Sequence, residues 1–409
     1  MAKKEDKGLQ KGISRRRFIA GGAAAAGSLL FVKPELVRGT AANSKVNLGI
    51  VGCGGRGTWI AKLFAEHGGY NIAAAADYFD DRVNAFGKEL NVPENKRFTM
   101  LSCYKKLLEE KLDAVAIESP PYFHPEQAAA GVDAGCHVYV AKPIAVDVPG
   151  CQSIAESGKK ATAKKLCMLV DFQTRADAFF IEAVKRVHNG AIGDYAFGEA
   201  YYHAQPLGMQ AEEDGSVEAR LRNWTFDIAL SGDIITEQNI HTLDVASWIM
   251  NSEPVSAVGT GGRKVRTNVG DCWDYFTLVF QYLNNVSISF SSRQFEGHGT
   301  SDGIKNKMFG TLGVLETHYG GQVLIRGKNF YRGGETTGIY KDGAVTNIAA
   351  FHKNITEGKF DNPTVEPSVR SNLVTILGRT AAYQNRKVYW NDLVKSTRRL
   401  DGRLKGLKA

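Results

Sequence analysis

Residues 45–57 read Lys45-Val46-Asn47-Leu48-Gly49-Ile50-Val51-Gly52-Cys53-Gly54-Gly55-Arg56-Gly57. The first seven form a short, β-branched strand pattern. The glycines that follow match G-x-G-x-x-G at Gly52, Gly54 and Gly57. Alone this pattern is weak, but here a helical pattern from Thr58 to His67 comes directly after it. Between a strand and a helix, the first glycine makes the turn and the second lets the backbone approach a pyrophosphate. The third lets helix and strand pack closely. Free N–H groups at the helix start then face phosphates, with Gly55 and Arg56 completing the loop. The next apolar run, Tyr70 to Ala76, ends in Asp77, 25 residues after Gly52. A carboxylate there accepts hydrogen bonds from both adenosine ribose hydroxyls and opposes a 2′-phosphate. The pattern therefore predicts NAD binding. NADP is disfavoured, although Arg56 offers a cation for a phosphate. The competing reading is a glycine turn in an unrelated α/β fold.

Outward from this unit, helical stretches at 80–90, 103–110 and 125–134 alternate with strand-like runs. Those runs are Ala114–Ile117, His137–Val140 and Leu166–Val170. Such alternation predicts a parallel sheet covered on both faces. The charged stretch Lys159–Lys165 reads as a loop. The chain changes character after about residue 195. Trp273–Phe280 and Val286–Ser292 read as two strands around the polar turn Asn284-Asn285. Residues 255–266 and 308–327 add short β segments, and Pro363–Asn385 returns to helix. The fold class is α/β, with a Rossmann dinucleotide-binding domain over 43–165. A C-terminal α+β domain follows over 166–409, built on an antiparallel or mixed sheet.

The 409 residues suit two domains. With 43% hydrophobic and 23% charged residues, the composition excludes a disordered chain and a polytopic membrane protein. The net charge of +8 invites a nucleic-acid reading. However, nine of the lysines and arginines and only three acids fall within residues 1–42, so the body is nearly neutral. No basic stripe prompts nucleic-acid binding. A C-terminal cluster (Lys395, Arg398, Arg399, Arg403, Lys405, Lys408) reads as a solvated helix or frayed end.

Residues 1–42 read as an address. Ser14-Arg15-Arg16-Arg17-Phe18-Ile19 leads into a 15-residue apolar run from Phe18 to Val32. That run is too short and too rich in glycine and alanine to span a bilayer comfortably. Paired arginines before such a run predict a twin-arginine export signal, against a short membrane anchor or a chance basic segment. Gly39-Thr40-Ala41-Ala42 offers a cleavage region. The expectation is a periplasmic or extracytoplasmic protein, exported folded around a tightly held cofactor, with no integral span after signal removal. The six cysteines include no C-x-x-C pair, which argues against a disulfide framework.

Three further segments carry a resemblance. One begins Ser119-Pro120-Pro121-Tyr122-Phe123-His124 and, after an alanine-rich helix, ends at Ala141-Lys142-Pro143. The second is Asp171-Phe172-Gln173-Thr174-Arg175. The third runs from Ser231-Gly232-Asp233 through Glu237-Gln238-Asn239-Ile240-His241 to Asp244. In this order they resemble the Gfo/Idh/MocA family of glucose–fructose oxidoreductases and inositol dehydrogenases, over essentially the whole mature chain. The resemblance implies a nicotinamide cofactor, oxidation or reduction of hydroxyls on sugars or cyclitols, and a large open, mainly antiparallel sheet. It also implies a homo-oligomer, dimer or tetramer, paired through that sheet's open face. Three positions depart from the family pattern. Ala141 replaces the glutamate of Glu-Lys-Pro, Glu237 replaces a commoner aspartate, and Pro121 replaces an asparagine.

Removing hydride from an alcohol carbon requires a base for the hydroxyl proton and a cation for the developing oxyanion. His241 suits the first role and Lys142 the second. Glu237 stands four residues before His241, so on a continuous helix it would share a face with the imidazole and orient it. Asp244 would support from behind. A structural histidine, or half of a metal site, competes with this reading. With no third ligand at a supporting spacing, no metal is predicted. Ser119, Pro120, His124, Lys142 and Gln173 join the expected cofactor contacts. Arg175, His203, Trp224 and Asn239 join the expected substrate contacts. An interdomain salt bridge is the alternative for Gln173 and Arg175, and core packing for Trp224. Three functions compete: an oxidoreductase with a tightly held cofactor, a glycosidase working by transient C3 oxidation and elimination, and an NAD-bound sugar sensor.

Overall fold

The computed structural model describes residues 45–409. The predicted export signal, and with it residues 1–42, lies outside the described residues. Six strands form one parallel sheet: β1 (Val46–Val51), β2 (Tyr70–Ala76), β3 (Arg97–Phe98), β4 (Ala114–Ile117), β5 (His137–Ala141) and β6 (Met168–Asp171). Their order is β3-β2-β1-β4-β5-β6. β4 is buried along its whole length, as a strand covered on both faces must be. The register aligns the strand ends: Val51 lies beside Ala76 and Ile117, Ile117 beside Val140, and Ala141 beside Asp171. Residues just past those ends therefore converge on one edge, the place where open α/β sheets bind ligands.

Two boundaries differ from the sequence reading. The parallel sheet does not stop at residue 165, because β6 pairs with β5 and completes it. The later chain also returns to this sheet. The helix Ile339–Glu357 packs Ile348 and Phe351 against Leu48 and Tyr139. Each such burial contributes about 1.5–3 kcal/mol. The helix Val148–Ala163 also continues through Lys159 and Lys160, where a loop was expected. Ile154, Ser157, Gly158 and Ala161 give it a buried face, and the lysines are simply its exposed side.

Nine strands form the second sheet: β7 (Tyr195–Ala204), β8 (Ser256–Gly262), β9 (Tyr275–Gln281), β10 (Ser287–Gln294), β11 (Gly303–Gly310), β12 (Gly313–His318), β13 (Gln322–Gly327), β14 (Tyr331–Glu335) and β15 (Val388–Tyr389). Their order is β14-β13-β12-β11-β7-β10-β9-β8-β15. Only β10 and β7 run parallel, so the sheet is mainly antiparallel, as the resemblance implies. One face packs Leu278, Phe280 and Phe290 with Leu243, Leu373 and Leu377 from the helices Ile240–Met250 and Val365–Gln384. The opposite face leaves Phe197, Val258 and Val279 exposed. No helix among the described residues is long and apolar enough to cross a membrane.

The C-terminal segment is neither a helix nor frayed. Leu404 and Leu407 pack near Phe79 and Tyr122, and Leu101 N donates to the Lys408 carbonyl at 3.0 Å. The Arg403 guanidinium reaches Asp227 at 3.0 Å and Asp271 at 3.3 Å. The two leucines between the charges anchor what composition alone presents as a solvated tail.

Candidate active site

The glycines of the loop divide into two kinds. Gly52 has φ +96°, and a Cβ there would lie 2.6 Å from the Glu118 carbonyl carbon. A Cβ on Gly57 would fall 1.8 Å from the Gly52 oxygen. These two are demanded by the protein's own packing. A Cβ on Gly54 would meet nothing nearer than Arg82 Nη1 at 3.8 Å, and one on Gly55 nothing within 4 Å. Gly54 and Gly55 instead leave an open cradle at the N-terminus of the helix Gly55–His67. That arrangement fits a pyrophosphate.

Asp77 ties this loop to the end of β2. Its carboxylate accepts from Cys53 N at 2.7 Å and Phe79 N at 2.9 Å. Burial pushes its pKa above the ordinary range. Asp77, Ser119, Pro120 and Trp224 line one cleft with the glycine loop, so Trp224 faces open space rather than only core. Ser119 Oγ donates to Gln127 Oε1 at 2.5 Å. His124 is fully buried beneath, its ring nitrogens 2.8 Å from the Pro143 carbonyl and 2.6 Å from the Ser119 carbonyl. Burial lowers its pKa to about 4, so the neutral ring donates to one carbonyl at a time. It holds the segment after β4 against the cis Lys142-Pro143 peptide rather than lining the cleft.

Lys142, Glu237 and His241 come together across the two sheets. Lys142 Nζ donates to the Glu237 carbonyl at 2.7 Å and lies 3.3 Å from its Oε1. Both side chains are nearly buried. His241 is buried with Nδ1 unpartnered, its ring centroid 5.4 Å from that of Tyr319. Burial, then the charges of Lys142 and Arg56, hold the imidazole well below its usual pKa, and so neutral.

The expected shared helix face for Glu237 and His241 is not formed. Glu237 ends the single turn Ile234–Glu237, and Asn239 N folds back to the Ile234 carbonyl at 2.9 Å. That closure re-aims the chain before the helix Ile240–Met250 begins, and the Glu237 carboxylate turns to Lys142 instead. Asn239 lies at the junction, buried, with Oδ1 unpartnered.

Three further expectations need correction. Arg175 does not reach toward substrate. Its Nε and Nη2 grip the Asp244 carboxylate at 2.9–3.0 Å, and Ser371 Oγ donates to the same carboxylate at 2.7 Å. Asp244 thus serves Arg175 and not His241. His203 stands on the open face of the second sheet, 3.1 Å from Ser291 Oγ. Alternation along β7 gives the inner face to Tyr202, on which the Glu237 charge adds to burial in raising the pKa. Arg56 lines the cleft, but its guanidinium turns from any phosphate to Glu118 (Nε–Oε2 3.1 Å) and Asp171.

Sequence reasoning missed that last cluster. Glu118 is fully buried, and burial raises its pKa to about 7. Asp171 Oδ1 accepts from Asn347 at 2.8 Å, and Gln173 Nε2 lies 3.4 Å from Oδ2. The available signal was positional: Glu118 directly follows the apolar run of β4, as Asp77 directly follows β2. Among the described residues, no three His, Cys, Asp or Glu side chains are grouped to hold a metal ion.

Comparison with known proteins agrees with this architecture. Residues 46–169 match the family model described as the oxidoreductase family, NAD-binding Rossmann fold. Residues 180–316 match the GFO/IDH/MocA C-terminal domain. Inositol 2-dehydrogenase 2 of Saccharopolyspora erythraea is 25% identical over 275 residues, covering 67% of this chain and 73% of the relative. A glycosyl hydrolase family 109 protein of Shewanella pealeana is 25% identical over 240 residues, covering 57% of this chain and 47% of the relative. The chain thus spans about half the length of that second relative. Two solved structures share the fold. The aldose-aldose oxidoreductase from Caulobacter crescentus, complexed with glycerol, has a TM-score of 0.68 at 18% identity, covering 84% of this chain and 99% of that one. GenD2 from gentamicin A biosynthesis, in complex with NAD, has a TM-score of 0.68 at 14% identity, covering 86% and 98%.

Proposed function

Because this chain belongs to the Gfo/Idh/MocA oxidoreductase family and carries its NAD-binding Rossmann domain, we propose that it oxidises a secondary hydroxyl of a sugar, glycoside or cyclitol. The observation that carries this reading is the contact of Lys142, just past the end of β5, with Glu237, together with the nearness of Lys142 and of Arg56 from the glycine loop to the His241 imidazole. NAD bound there supplies the hydride acceptor. Gly54, Gly55 and the helix start would receive its pyrophosphate, and Asp77 its adenosine ribose, which favours NAD over NADP. Neutral His241 takes the hydroxyl proton as the carbon gives up its hydride. The Lys142 ammonium stabilises the oxyanion as it forms. Glu237 fixes Lys142, and the unpartnered buried oxygens of Asn239, Ser292 and Gln294 suit a polyhydroxylated substrate.

Export supports a cofactor that stays bound. The paired arginines at 15–17 and the apolar run to Val32 favour the twin-arginine route to a periplasmic or extracytoplasmic compartment. The open sheet face, with Phe197 stacked on Phe309 at 4.5 Å, supports homo-oligomer formation. A second reading is favoured by the equal identity to a family 109 glycosyl hydrolase. In that chemistry oxidation at C3 enables elimination of the aglycone and is reversed at the end of the cycle, with no net change in the cofactor.

The test is to denature the purified protein, measure released NAD(H) and NADP(H) by mass spectrometry, and then screen sugars and glycosides. Near-stoichiometric NAD(H) with a keto-sugar product supports the first reading. Aglycone release without net reduction supports the second. Protein that is empty and binds added NAD weakly overturns the retained-cofactor mechanism.

A further inference from the structure

Parallel register sets Glu118, Ala141 and Asp171 side by side, at the carboxyl ends of β4, β5 and β6. The small side chain of Ala141 leaves room between the two acids. The Arg56 guanidinium, from the glycine loop where the helix Gly55–His67 begins, spans that gap and touches both. Both carboxylates are fully buried, and only one guanidinium lies between them. Asp171 also has Asn347, whereas among the described residues Glu118 has its ion pair with Arg56 at 3.1 Å and no hydrogen bond of good geometry. The nearby Lys142 is already engaged by Glu237. When Glu118 is ionised the cluster therefore carries one carboxylate charge more than its cation offsets, and a buried charge of that kind is costly without a partner.

Glu118 and Arg56 line the same cleft as Gly54 and Asp77. Asp77, at the end of β2, marks the adenosine side. A dinucleotide laid along the edge thus brings its other end over β4 and β5. The nicotinamide ring is positively charged when oxidised. Adding a hydride, two electrons and one proton, makes it neutral.

We propose that the Arg56-bridged pair Glu118 and Asp171, with both carboxylates ionised, forms a negative patch that makes this protein hold oxidised NAD more tightly than NADH. The inference rests on the reading of the cleft as an NAD site. It assigns Glu118 a positioning role by charge, at the level where Ala141 offers none. Its consequence is a retained cofactor that rests in the oxidised state, ready for substrate.

The test measures the midpoint potential of the NAD couple bound to the full protein. Absorbance of the reduced form is followed against a reference redox couple, above the pH where Glu118 titrates. The wild type is expected to lie below the free couple. Glu118→Gln is expected to lose about tenfold of the preference for the oxidised form, raising the midpoint by about 30 mV for two electrons. Glu118→Asp, which keeps the charge, is expected to retain most of the preference. A wild-type midpoint at or above that of the free couple overturns the proposal, whatever the variants do. A folded Glu118→Gln protein with an unshifted midpoint does the same and leaves the NAD reading intact. Wild-type protein that binds neither NAD nor NADH overturns both.

Discussion

Lys142 Nζ sits 2.7 Å from the backbone carbonyl of Glu237 and 3.3 Å from its carboxylate, joining the end of β5 to the turn before His241. The ammonium is thus held by two acceptors and aimed by a segment almost a hundred residues away. Replacing Lys142 by alanine removes the cation proposed to meet the oxyanion. Turnover is expected to fall by roughly 10²–10⁴-fold, while NAD stays bound. Glu237→Gln keeps the carbonyl contact and loses the charge, so a smaller loss is expected. Steady-state kinetics with measured cofactor content checks both. A Lys142→Ala enzyme with near-normal kcat would remove Lys142 from the chemistry.

Little of this junction was legible in the sequence. The glycine loop and Asp77 were readable because their geometry is local: a strand, a turn and a helix within a few tens of residues. The second sheet was readable in kind, because its strands alternate. The face presented by His203 was not readable, since alternation fixes which residues share a side and leaves open which side is covered. Glu118 escaped because its meaning depends on register across β4, β5 and β6, a relation between strands that no single segment carries. Glu237 and His241 were paired by spacing alone. One backward hydrogen bond from Asn239 to Ile234 redirects them.

His241 gives a pH test. Burial and the Lys142 and Arg56 cations depress its pKa, so the imidazole stays neutral and able to accept a proton below pH 6.5, its ordinary value. The sign follows: acidification should disable the base only well below that value. Imidazole signals followed by NMR should show His241 untitrated there, and Lys142→Met should shift its titration upward by removing one cation. Burial raises the Glu118 pKa to about 7. A kinetic limb near that pH that vanishes in Glu118→Gln therefore belongs to Glu118. Protonation of His241 at its ordinary pKa in the wild type would contradict the burial and charge argument.

The docked C-terminal segment predicts coupling between the tail and the cofactor. Leu404 and Leu407 pack around Phe79, which with Asp77 and Leu221 lines the pocket proposed to receive the adenosine. Both leucines are only partly buried, so Leu404→Ala and Leu407→Ala should each cost about 1 kcal/mol of stability. Truncation after Leu400 should speed NAD release measurably more than it lowers the melting temperature. Stopped-flow displacement of bound cofactor checks this. Unchanged release from a truncated, folded protein would reduce the tail to a stabilising element.

The two kinds of glycine in the loop separate binding from folding. Gly57→Ala places a methyl 1.8 Å from the Gly52 oxygen, so strand and helix must part and the domain should lose stability. Gly54→Ala meets no protein atom nearer than 3.8 Å, and its backbone is extended at φ −70°. Its stability should stay within about 0.5 kcal/mol of the wild type. The added methyl projects into the space expected to hold the pyrophosphate, so affinity for NAD should fall by about tenfold or more. Thermal melts without ligand and calorimetric titration with NAD read the two effects independently. If Gly54→Ala kept full affinity, the pyrophosphate would have to lie elsewhere along the edge, and the placement of the whole dinucleotide over Gly54, Asp77 and Glu118 would fail with it.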